Sequence, residues 1–147
     1  MPNQPVSPSR PWLYSAAVMS VIAGAIHLVV TPEHFAEWIG YGLFFLVATI
    51  AQLGYAVLLL AQNPTRPVLL AGIRGNSLIS GLYLISRSLG IPFLGPEAGE
   101  VEPVGVHDTL SKIVELGLIA CLVVLLRTQP DSAQGGRPDG GAVLRLL

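Results

Sequence analysis

The feature that most constrains this chain is residues 104–126, an apolar run that nevertheless carries His107, Asp108, Lys112 and Glu115. Crossing a hydrocarbon core takes about 20 predominantly apolar residues, so the run is long enough to span a bilayer. A charge near the centre of that span costs about 3 kcal/mol or more. Asp108, Lys112 and Glu115 follow one another at four and three residues, so on a helix they share one face, with His107 one position round. That face must turn toward protein or a wet cavity rather than lipid. One segment therefore demands both a helical bundle and a polar site inside it.

Three further apolar segments supply the rest of the bundle. Hydrophobic residues make up 52% of the chain and charged residues 12%, about half the charge of an average soluble domain. The reading is an all-α protein, an integral membrane four-helix up-down bundle forming one domain at residues 12–127. Its helices are expected near residues 12–30, 33–62, 68–89 and 104–126. Residues 1–11 are proline- and serine-rich and read as a disordered cytoplasmic leader; residues 128–147 are Gly/Pro-rich and read as a disordered cytoplasmic tail. The formal net charge of −1 gives no reason to invoke nucleic acid. Cys121 is the single cysteine, which excludes an intrachain disulfide and argues against a thiolate metal site.

Finer patterning assigns faces and breaks. In the first helix Ala16, Ser20, Ala23 and His27 form a small-residue stripe that lets another helix approach closely, and His27 at its end should point inward. Thr31 suits a helix N-cap, Pro32 the first helical position and Glu33 the positive end of a dipole, so a break is expected there. Gln52 is the main polar group of the second helix and reads as an interhelical hydrogen-bonder. In the third helix two inward stripes are expected, Asn76, Ser80, Tyr83 and Arg87, and Arg74, Ser77, Gly81 and Ser88. Leu78, Leu82, Ile85 and Leu89 make its lipid face. Residues 90–103 form a long acidic connection holding Glu97, Glu100 and Glu102; loops of that length are often functional.

Orientation follows from the Lys/Arg bias. Arg10, Arg66, Arg127, Arg137 and Arg145 flank one end of the bundle, while the first turn and the long loop hold no Lys or Arg. Both termini are thus expected in the cytoplasm, in a cell (plasma or inner) membrane. All three histidines, His27, His34 and His107, then gather at the outer face with Glu33, Glu37, Glu97, Glu100, Glu102 and Asp108.

Imidazole with carboxylates suits a transition metal ion, so His27, His34 and His107 form a candidate metal set, with Glu33 and Glu37 as additional ligands. Haem held between His27 and His107 is a weaker fit. Counted along their helices the two sit about 22 and about 28 Å from the opposite face, a mismatch for axial ligands. The charged groups read as an intramembrane network, Arg87–Asp108–Lys112–Glu115–Arg74, spanning the third and fourth helices. No soluble-enzyme motif is present (no G-x-S-x-G, P-loop, G-x-G-x-x-G or H-E-x-x-H), so no catalytic residue is assigned. The first functional reading is an outward-facing mouth that binds a metal ion or small ligand, as an accessory subunit. Its alternatives are a small proton-coupled transporter or channel-like homo-oligomer using the Asp-Lys-Glu ladder, and a structural partner for another membrane protein.

Two stretches carry a resemblance. Residues 27–56 hold the turn Pro32-Glu33-His34; residues 86–116 hold Gly95-Pro96-Glu97, followed by Asp108 and Glu115. This pattern resembles a family of small, uncharacterised bacterial four-transmembrane-helix membrane proteins. The resemblance implies a membrane location and the same architecture, and assigns no activity.

Overall fold

The computed structural model describes residues 9–61, 64–91, 93 and 95–129. Residues 1–8 and 130–147, with Arg137 and Arg145, lie outside the described residues, and the expected disorder of leader and tail falls there. The described chain is four α-helices in sequence: α1 (Ser9–Glu37), α2 (Ile39–Ala61), α3 (Arg66–Ser88) and α4 (Val106–Thr128). All four are long and apolar enough to cross a membrane. The three shorter helices have 23 residues each, about 34 Å at 1.5 Å per residue, slightly more than a hydrocarbon core of about 30 Å. The fold is an all-α four-helix bundle in which α1 packs along α2 and α4, and α4 along α3. The backbones of α2 and α3 approach each other far less closely.

The helix boundaries differ from expectation at two places. Helix α1 starts at Ser9, inside the expected leader, and it runs through Pro32 to Glu37 instead of ending at residue 30. Pro32 cannot donate a backbone bond to the Leu28 carbonyl, a loss that helices in membranes tolerate. Here the Thr31 hydroxyl donates to the His27 carbonyl at 2.7 Å. Thr31 therefore back-bonds within a continuing helix rather than capping a new one, and Glu33 and His34 belong to α1.

The reversal comes instead at Trp38, the one residue between α1 and α2. Two glycines make room for it. A Cβ on Gly40 would run into the Trp38 ring, and one on Gly42 into the Phe35 ring. The hairpin closes where side chains are missing, which outweighs the local breaker chemistry of Thr31-Pro32.

Along its axis the bundle is divided in two. At the end holding the start of α1 and the end of α4, Ala16, Ala17, Leu59, Leu69, Leu118, Cys121, Leu122 and Leu125 form an apolar core. Between helices in lipid this cohesion comes from close van der Waals contact, which the small residues of α1 permit. A polar layer follows. The Ser20 hydroxyl donates to the Gln52 carbonyl at 2.7 Å, and the Gln52 amide donates to Asn76 Oδ1 at 3.2 Å, so Gln52 links three helices. Beyond that layer lies the end that carries the Trp38 turn and the α3–α4 loop, and the ionisable groups are concentrated there.

Candidate functional site

Glu115 is the floor of the site. It is 0% exposed, and both its oxygens are occupied. Oε1 accepts from the Ser111 hydroxyl at 3.1 Å and from His27 Nε2 at 3.0 Å; Oε2 accepts from the Ser80 hydroxyl at 2.9 Å and from Lys112 Nζ. Four donors around one carboxylate are what a buried charge requires, because an unpaired one would neutralise or unfold the site. A ring nitrogen facing a carboxylate must carry its proton, so His27 donates from Nε2. Its Nδ1 is buried with no hydrogen-bond partner.

A second cluster sits one to two helical turns nearer the loop. Arg87 donates through Nη2 to Asp108 Oδ2 at 2.7 Å and through Nη1 to Glu102. Asp108 also accepts the Gly105 backbone N–H at 2.9 Å, tying the start of α4. In that position its charge complements the helix dipole. Tyr83 stands between the clusters, its ring 5.3 Å from the Arg87 guanidinium carbon and 5.2 Å from Lys112 Nζ. Each cation thus rests on an aromatic face as well as on a carboxylate.

The α3–α4 loop closes over this end. Gly90 has φ of 71° and lies against the Gly99 and Glu100 backbone so closely that no Cβ would fit. The Gly99 N–H donates to the Ile91 carbonyl at 3.0 Å and the Glu102 N–H to the Ser86 carbonyl at 3.3 Å. Gly95 lies against the ring and hydroxyl of Tyr41 on α2. The loop is therefore fastened to α2, to α3 and, through Glu102 and Arg87, to the charge cluster.

Under that roof is a chamber of about 200 Å³. Residues of all four helices and of the loop line it. One wall is aromatic: Tyr41, Phe44, Phe45 and Tyr83, with the His34 ring stacked on Phe45 at 3.9 Å between centroids. The polar pole is made by His27, Ser111, Lys112, Arg87, Asp108 and Glu102. Such a space can hold a small molecule, apolar over most of its surface, with hydrogen bonds at one end.

The structure sorts the candidate residues unevenly. It brings Arg87 to Asp108 and Lys112 to Glu115, but the expected single file is two clusters. Arg74 is exposed on α3 and belongs to neither; its stripe partners Ser77 and Ser88 are exposed too, so that second stripe faces outward. Leu82, expected toward lipid, lines the chamber. The metal set does not assemble either. His27 spends Nε2 on Glu115 and Ser111, His34 spends Nδ1 on Glu37 at 2.7 Å, and His107 lies exposed at the chamber rim. Among the described residues no three His, Cys, Asp or Glu side chains converge as a metal site would need. His27 and His34, seven residues apart, share the chamber face of α1 and both contact the Phe45 ring. What keeps them from forming a ligand set is that each spends a ring nitrogen on its own carboxylate, Glu115 and Glu37. The same commitment of His27 Nε2 removes its axial position for haem.

Sequence reasoning left out Ser80, Ser111 and the role of Glu102. Ser111 lies one helical turn before Glu115 and could have been read from that spacing. Ser80 was within an inward stripe but without a partner to name. Glu102 sits on a loop, whose path no periodicity reports.

Fold and site together define a class: a four-helix membrane-spanning bundle with a buried ion cluster beneath a roofed, aromatic-walled chamber. No family model matches the chain, and neither does any curated protein or solved structure.

Proposed function

We propose that this protein binds a small organic ligand in the chamber at the loop end of the bundle, as a membrane-embedded binding protein or accessory subunit. The observation that carries this reading is the chamber itself. About 200 Å³ of space bounded by every helix and by a fastened loop is a poor way to stabilise a bundle, since packing contacts are lost across it. A purely structural bundle would fill that volume with side chains, as this one does at its other end. The Lys/Arg bias supports an orientation in which the chamber opens at the outer face of the cell membrane. The protein would thus meet its ligand from the outer leaflet or the space beyond. The residues in contact with it would be Tyr83, Phe45, Lys112 and Arg87.

The test is direct. Protein purified in mild detergent is extracted with organic solvent and the extract analysed by mass spectrometry, beside the chamber-filling variant Val30→Trp. The parent should carry one small molecule at close to one per chain, and Val30→Trp, folded by circular dichroism, should lack it. Equal background in both would sink the proposal.

A further inference from the structure

Resting on the ligand-binding reading, we infer that the ligand is a membrane-dissolved amphiphile with a neutral, planar, acceptor-bearing ring as its head, the chemistry of an isoprenoid quinone. We further infer that it enters sideways between α2 and α3.

The route comes from where the bundle is open. The roof is fastened at several points, and α1–α2, α1–α4 and α3–α4 are closely packed. The α2–α3 pair is not, and its side-chain links, Gln52 to Asn76 and Tyr55 to the Val68 carbonyl, lie toward the other end. At the chamber end the two helices present Phe44 and Leu82, which both line the chamber. Phe44 is 38% exposed. Leu82 shares its helix face with Leu78 and Ile85, which are 65% and 43% exposed. These two residues therefore join the chamber to the surface that faces the acyl chains. An opening there admits what is dissolved in the bilayer.

The head chemistry comes from the polar pole. Arg87 and Lys112 face Glu102, Asp108 and Glu115, so two fixed positive charges meet three negative ones and an anionic head would be repelled. Beside one unpaired acceptor, His27 Nδ1, the pole keeps a surplus of donors. Lys112 has three N–H donors and Arg87 five, more than their carboxylate partners take up. A neutral head with carbonyl or ether acceptors matches that surplus. The Tyr83, Phe44 and Phe45 rings offer flat faces to a flat ring, while a tail leaves through the Phe44–Leu82 opening.

Trp38 gives a reporter, since its ring contacts Tyr41 edge-on at 5.2 Å and Tyr41 lines the chamber. In a Trp12→Phe background, the protein is placed in nanodiscs and titrated with menaquinone-4, or with menadione, which has the same ring without the tail. Menaquinone-4 should quench Trp38 saturably, and menadione should need at least tenfold more. Leu82→Phe, which narrows the opening, should weaken menaquinone-4 at least tenfold without changing the melting temperature of the ligand-free protein. Saturable quenching by both probes alike, unmoved by Leu82→Phe, would overturn lateral entry and leave the ligand-binding reading intact. Linear quenching by both, equal to that of a tryptophan octyl ester in protein-free discs, would overturn the quinone-like assignment. The extraction experiment above would then judge the binding reading separately.

Discussion

Arg87 shows most clearly how one side chain governs its neighbours. It holds two carboxylates, Glu102 from the loop and Asp108 from α4. Removing the arginine strands both acids in a partly buried site. Removing Asp108 leaves Arg87 with Glu102, a pair that still neutralises it. Breaking a buried pair costs about 3–5 kcal/mol and an exposed one about 0–1. These side chains lie between those limits, at 12% and 24% exposed for the Arg87–Asp108 pair. The expected order is therefore unequal. Arg87→Ala should lose about 3 kcal/mol and Asp108→Ala about 1, or about 6–12 and about 2–4 °C in melting temperature for a chain of this size. Thermal melts in one detergent decide it; equal losses would mean that Glu102 does not share the guanidinium. From sequence alone Arg87 and Asp108 could be matched by depth along their helices. The third partner could not, because a loop residue's depth is not a function of its number.

Among the helices, the α1–α2 hairpin departs furthest from local preference. Thr31, Pro32 and Glu33 together make a strong start signal, yet α1 passes through them and turns six residues later, at Trp38. The turn needs Phe35 and Gly42 to meet with no side chain between them. Over-packing such a contact costs about 1–3 kcal/mol. Gly42→Ala should therefore destabilise by that amount, and Phe35→Ala in the same chain should return most of it by vacating the space. A double-mutant cycle on melting temperature measures the coupling. Additive effects would show that the ring and the glycine do not touch. Because α1 continues through Pro32, His27 and His34 stay on one helix seven residues apart, each hydrogen-bonded to its own carboxylate.

For the whole molecule, the axial division has a consequence for topology. Arg10, Arg66 and Arg127 all lie at the apolar-core end, and none of the turn or loop residues at the chamber end is basic. Positive charge is retained on the cytoplasmic side during insertion, so the chamber should face out. Epitope tags at either terminus should resist protease added to intact cells, while a cleavage site placed after Gly99 should be cut. Cleavage at a terminal tag with protection at the loop would invert the orientation, and the ligand would then come from the inner leaflet. The two clusters also bear on transport. A linear file of ionisable groups would have offered protons a path, but Arg74 lies outside it, and below Glu115 the uncharged polar layer of Ser20, Gln52 and Asn76 gives way to Leu118, Leu122 and Leu125.

What the sequence determined by itself is set by one-dimensional quantities. Lengths of apolar runs fixed the number of helices, since each must span the same hydrocarbon thickness. The cost of charge in lipid required that Asp108, Lys112 and Glu115 face inward. Helical spacing put Ala16, Ser20, Ala23 and His27 on the packed face, where all four are buried. Only the tertiary structure decided which inward groups meet. His27 reaches Glu115 across 88 positions of chain, and Arg74 turns away from a network that spacing alone allowed it to join. The position of the hairpin, the path of the loop and the existence of the chamber depend on how helices rotate and where they fail to touch. Those are properties of pairs of helices, and a single helix's pattern carries no record of them.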